Sequence, residues 1–84
     1  MSATEWKPRG RDVVIGGIPW LARMTDKARA KAAGTIGDYI YPCPQDQKLL
    51  AELGLTGDEF LKIAVSAKTD EEVVEAVRQA KVKR

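Results

Sequence analysis

Apolar residues recur at steps of three and four along most of the chain, and the pattern divides it into four helices. The first is expected over residues 18–33. Trp20, Leu21, Met24, Ala28 and Ala32 share one face, and Arg23, Lys27 and Lys31, four apart, form a basic row beside it. Pro19 suits a first helical position, where its missing N–H is not needed, and Gly34 suits the left-handed cap. Asp26 and Arg29, three apart, are expected to pair on the outer side.

The second helix is expected over 43–53, with Cys43 at the cap, Pro44 at the first position and Asp46 complementing the helix dipole. Leu49, Leu50 and Leu53 form its buried face, and Gly54 ends it. The third, 57–67, opens with a capping box of Thr56 and Glu59. Leu55 and Phe60 form the hydrophobic staple around that cap. A second capping box, Thr69 to Glu72, opens the fourth helix at 70–81, with Val73, Val77 and Ala80 inward. Two β-branched or aromatic pieces, Val13-Val14-Ile15 and Tyr39-Ile40-Tyr41, allow one minor two-strand pairing between them. Residues 1–11 read as an extended arm tacked down by Trp6. The expected fold is therefore all-α, a compact irregular four-helix domain occupying residues 1–84 as a single unit, with that strand pairing as an accessory.

Composition narrows the chemistry. The chain is 44% hydrophobic and 31% charged, too apolar for a disordered tail. With no histidine and one cysteine it has no histidine-dependent triad, no internal disulfide and no ligand set for a closed zinc site, so neither metal nor cofactor is expected. The apolar run over 13–22 is too short to span a bilayer. Asp12, Pro19 and the lack of a nearby small-x-small site argue against a signal peptide, and a cytoplasmic location is expected. Net charge is only +2, and an acidic middle separates basic ends. That weighs against a dedicated nucleic-acid binder.

Candidate sites gather between Trp20 and Asp46. Arg23, Lys27 and Lys31 beside Trp20 suit a phosphate or an exposed base. The plainer alternative is a solvated helix flank whose aliphatic stems cover the indole. Asp38, Tyr39, Tyr41 and Asp46 either line a small polar pocket or are a turn residue, two packed phenols and a helix-start anion. Cys43 at a helix start is a candidate nucleophile, because free N–H groups and the dipole stabilise a thiolate. Against this, Asp46 on the same turn opposes such a charge, and the chain has no histidine base or resolving cysteine.

The run Trp20-Leu21-Ala22-Arg23-Met24, then Asp26-Lys27-Ala28-Arg29-Ala30, Ala33-Gly34-Thr35, Gly37-Asp38-Tyr39 and Tyr41-Pro42-Cys43-Pro44 with Asp46 resembles a family of small bacterial proteins catalogued as a domain of unknown function. Pro8-Arg9, Arg11, Gly16-Gly17 and the Gly54-Leu55 corner fit the same pattern. The resemblance implies a bacterial, intracellular, single-domain protein. It marks Arg23, Asp26, Lys27 and Arg29, with the region from Asp38 to Asp46, as characteristic, and brings no activity with it. The segment from Lys81 to Arg84 does not align.

The leading expectation is a small helical binding module. Its first helix and the turn over 39–46 would meet an anionic small molecule or a protein partner, with nucleic acid and membrane as the poorer fits. A Cys43-based thiol enzyme or redox sensor is the alternative. A structural or oligomerising protein, self-associating through the alanine-rich first helix, is the third.

Overall fold

The computed structural model describes the backbone of residues 7–82 and the side chains of residues 7–80. The arm is thus seen from Lys7 onward, and Trp6, Lys83 and Arg84 lie outside the described residues. The elements are β1 (Val14–Ile15), β2 (Ile18–Pro19), α1 (Leu21–Ala33), α2 (Pro44–Leu53), α3 (Gly57–Ser66) and α4 (Asp70–Val82). The fold is mainly α, with a radius of gyration of 12.3 Å.

The strand pairing differs from the expected one. Val14 pairs with Pro19 and Ile15 with Ile18, antiparallel, around Gly16 and Gly17. Tyr39, Ile40 and Tyr41 form no strand. Both glycines have positive φ, 59° and 74°, as the two-residue turns that match strand twist require. Closing that loop costs far less chain entropy than pairing segments some two dozen residues apart. Ile18 and Pro19 are consequently held in the ladder, and α1 starts at Leu21, three residues later than expected. The hairpin rests on α4: a Cβ on Gly16 would lie 2.5 Å from Cγ1 of Val74.

The remaining boundaries follow the capping grammar. Gly34 and Gly54 end α1 and α2 in the left-handed conformation. At the second corner the Leu55 N–H donates to the Leu50 carbonyl at 3.0 Å, so the leucine after the cap is folded back toward the core. The Thr56–Glu59 capping box is present in both directions. At α4 the Thr69 hydroxyl accepts from Glu72 N, but the Glu72 carboxylate reaches back to the Lys68 N–H instead of that of Thr69. The joint before α4 is thereby held one residue further upstream.

One core runs through the molecule. Leu21, Met24 and Ala28 of α1 meet Leu49, Leu50 and Leu53 of α2, Phe60 and Ala64 of α3, and Val73, Val74 and Val77 of α4. The α1–α3 packing is the most extensive. It is locked by Arg29, which donates to the carbonyls of Ala64 (2.8 Å) and Ala67 (3.0 Å) at the C-terminal end of α3. The expected Asp26–Arg29 pair on the outer side therefore does not form. Arg29 serves carbonyls that need donors and complements a helix dipole, and Asp26 is taken by Arg9.

Candidate functional site

The site is built where the start of α1 meets the start of α2. Trp20 caps α1 with φ of 75°, a left-handed conformation that is costly for a bulky residue. It redirects the chain from hairpin to helix and sends its indole toward α2, where the N–H donates to Oδ1 of Asp46 at 2.6 Å. Two turns into α1, Lys27 faces the same carboxylate, its ammonium 2.7 Å from Oδ2. Asp46 sits at the third position of α2 and accepts from the Cys43 backbone N–H at 3.0 Å. The cysteine returns the contact, Sγ accepting from Asp46 N at 3.5 Å. The sulfur thus takes the part usually played by Ser, Thr or Asp oxygen in a capping box.

A carboxylate 0% exposed is tolerable here because indole, ammonium and backbone N–H all donate to it. The Lys27 ammonium also lies 3.3 Å from the Cys43 sulfur. Two donors, one charged, therefore converge on a thiol that is only partly buried.

Outside this buried network is a cationic, aromatic surface. The Arg23 guanidinium lies 5.5 Å from the Trp20 ring centroid and 5.6 Å from that of Tyr39. Arg11 and Lys27 each lie 5.8 Å from the Trp20 ring. Arg23 Nη1 donates to the Arg9 carbonyl at 3.1 Å, while its Nε is buried without a hydrogen-bond partner among the described residues. A groove of about 430 Å³ beside Trp20 is lined by Arg11, Ile18, Pro19, Gln45, Leu49 and Glu52.

Arg9 anchors the arm beneath this surface. Its Nε and Nη2 hold both oxygens of Asp26 at 2.9 and 3.0 Å, and its Nη1 and Nη2 hold those of Asp70 at 2.6 and 2.9 Å. Its backbone N–H adds a third bond to Asp26. The bonds to Asp70 and then Asp26 push the Arg9 guanidinium above its ordinary value, and the Arg9 bond pulls the Asp70 carboxyl below its own.

The structure thus brings together Trp20, Lys27, Cys43 and Asp46 in one network, with Arg23 and Tyr39 beside it. The expected basic row does not act as one surface. Lys27 is buried and neutralised by Asp46, whereas Lys31 is exposed in the last turn of α1. Asp38 is exposed on its turn. Tyr41 is 4% exposed, and its hydroxyl donates to the Gly57 carbonyl at 2.7 Å. Neither Asp38 nor Tyr41 joins the hydrogen bonds around Asp46, so the expected pocket of two carboxylates and two phenols is not assembled. Sequence reasoning passed over Arg9, Asp70 and the stacking of Arg11. No spacing rule links Arg9 to a carboxylate 61 residues away; the signals at hand are the density of arginines at positions 9 and 11 and their place in the family resemblance, and neither names a partner.

The chain belongs to the family described as Domain of unknown function (DUF5069), which it matches over residues 5–84, so the match takes in the segment from Lys81 to Arg84 that the resemblance left out. No curated protein matches it. Among the described residues no helix is long and apolar enough to cross a membrane, and no three Cys, Asp or Glu side chains are grouped to hold a metal ion.

Proposed function

We propose that this member of the family is a small binding module whose recognition surface is the Trp20–Arg23–Tyr39 face, and that it takes an anionic group of a small molecule or a protein partner. The observation that carries this reading is that Arg11 and Arg23 gather at one indole, and neither makes an ion pair among the described residues. Cations on aromatic rings gain about 0.5–1 kcal/mol each at exposed sites, which holds them in place without neutralising them. Nearby Arg9 shows the contrast, since its charge is met by two carboxylates. The surroundings favour an oxyanion over a nucleobase. Three cations already lie within 6 Å of the Trp20 ring and its N–H is engaged, so a base stacking there has to displace one of them. A bacterial, cytoplasmic setting belongs to the same proposal, supported by a free, partly buried cysteine that suits a reducing compartment.

The test is a backbone hydrogen-exchange footprint of the full chain with and without a small-molecule extract or candidate partners. Protection is expected over residues 20–46 and its loss in Arg23→Gln. Protection confined to another surface would overturn the reading.

A second reading rests on the 3.3 Å contact of the Lys27 ammonium with Cys43 Sγ. That contact, on a sulfur that is only partly buried, is the geometry a thiol enzyme or redox sensor would build on. It predicts that iodoacetamide alkylates Cys43 faster in the native chain than in urea. Slower native alkylation assigns the sulfur to capping alone.

A further inference from the structure

Resting on the anion-binding reading, the geometry points to one specific receptor: the Nε–Nη2 edge of Arg23, a two-point site for a single oxyanion, phosphoryl or carboxylate, with Arg9 as its positioning residue.

Three observations converge. The first is the buried Arg23 Nε, which has no hydrogen-bond partner among the described residues. A guanidinium keeps its proton, and leaving a buried charged donor unpaired is costly, because its water has been removed and nothing replaces it. Such a group calls for an acceptor. The second is the fixing of the guanidinium. Nη1 is bonded to the Arg9 carbonyl, and the Trp20 and Tyr39 rings lie at 5.5 and 5.6 Å. The edge that remains is the side formed by Nε and Nη2, whose parallel N–H groups match the two oxygens of a carboxylate or phosphoryl group. The third is the same edge in use elsewhere in the molecule. Arg9 holds the carboxylate of Asp26 through its own Nε and Nη2 at 2.9 and 3.0 Å.

Arg9 also explains how the receptor is kept in place. Its side chain is clamped to α1 through Asp26 and to α4 through Asp70, and its backbone N–H is bonded to Asp26 as well. The carbonyl that receives Arg23 is therefore fixed by two helices of the fold rather than by a loose arm. Pre-orientation of this kind raises affinity by lowering the ordering cost of binding. Arg11, exposed and also at the Trp20 ring, adds a second uncompensated positive charge to the neighbourhood.

The experiment is an NMR titration of the full chain, following backbone amides and the arginine Nε–Hε signals. Sodium phosphate and sodium acetate are the probes, at constant ionic strength, with chloride as the control salt. The Arg23 Hε signal is expected to move saturably while that of Arg9, held by Asp26, stays put. Arg23→Lys, which keeps the charge and removes the fork, is expected to weaken binding at least tenfold. Asp70→Asn is expected to weaken it several-fold without touching the anion. Saturation by phosphate alone identifies a phosphoryl ligand; saturation by acetate as well extends the class to carboxylates. If amides over residues 20–46 shift saturably but Arg23 Hε does not, or Arg23→Lys binds as well, the receptor edge is overturned and the surface reading stands. No saturable shift with either anion removes the receptor, and the hydrogen-exchange footprint then decides the surface reading separately. The Hε measurement is made on the native chain, so it holds even if a variant fails to fold.

Discussion

Lys27 and Asp46 face each other at 2.7 Å with side chains 4% and 0% exposed, a buried ion pair joining α1 to the first turn of α2. Removing one partner of such a pair leaves an uncompensated charge out of water, which costs about 3–5 kcal/mol. Lys27→Met and Asp46→Asn are each expected to lose stability on that scale in urea unfolding. The combined variant should lose less than the sum, because it no longer buries a lone charge. Simple additivity would mean that the two groups do not interact.

The Arg9 clamp makes a pH-dependent contribution. Its hydrogen bond holds the Asp70 carboxyl below the ordinary carboxylate value. A group depressed in the folded state contributes stability above its unfolded pKa, about 3.9, and loses it as pH falls through the folded value. Both side chains are about a third exposed, so solvent screening keeps the contribution within about 1 kcal/mol. Native chain and Asp70→Asn should therefore differ in unfolding midpoint at neutral pH and converge as pH falls below 4. A difference that persists under acid conditions would point to packing instead of charge.

The two hairpin glycines separate conformation from space. Gly16 and Gly17 both have positive φ, so an alanine at either pays a left-handed penalty of about 1–2 kcal/mol. At Gly17 nothing lies within 4 Å of the added Cβ, but at Gly16 it meets Val74 Cγ1 at 2.5 Å. Gly16→Ala should be clearly more destabilising than Gly17→Ala in matched thermal melts. Equal effects would show that the hairpin is not seated on α4.

How far the sequence reached follows from the range of each interaction. The caps at Cys43, Thr56, Gly34 and Gly54 were legible because each is settled within a few residues. The Gly16-Gly17 hairpin carried a local signal too, but Pro19 also satisfies a helix start, and only the ladder with Val14 decides between them. At the candidate site the wheel placed Lys27 beside Trp20, whereas its neutralisation by Asp46 depends on how α2 docks against α1. Asp26 shows the same limit. Arg29 is the cation three positions on along the helix, yet Arg9, 17 residues away, takes the carboxylate with a two-point grip.

Tyr41 gives the alkaline counterpart to the clamp. Burial first, then the charges of Asp46 and Asp58, push its phenol above the ordinary tyrosine value. The folded state thus keeps the proton, while the unfolded chain releases it near pH 10. A group raised in this way contributes stability that is fully present below the unfolded value and lost as pH rises through the folded one. The native chain should accordingly lose stability from about pH 10 upward, with the ionisation of Tyr41 tied to unfolding. Tyr41→Phe removes the hydroxyl that donates to the Gly57 carbonyl, so it should cost about 1 kcal/mol at neutral pH. It should also flatten the alkaline decline, because no proton is then released on unfolding at this position. The check is a pair of urea titrations at pH 7 and pH 10.5 on both chains. The substitution is expected to cost less at the higher pH. An equal cost at both would mean that the phenol ionises in place, and that the Asp46 side of the core admits a charge the geometry does not accommodate.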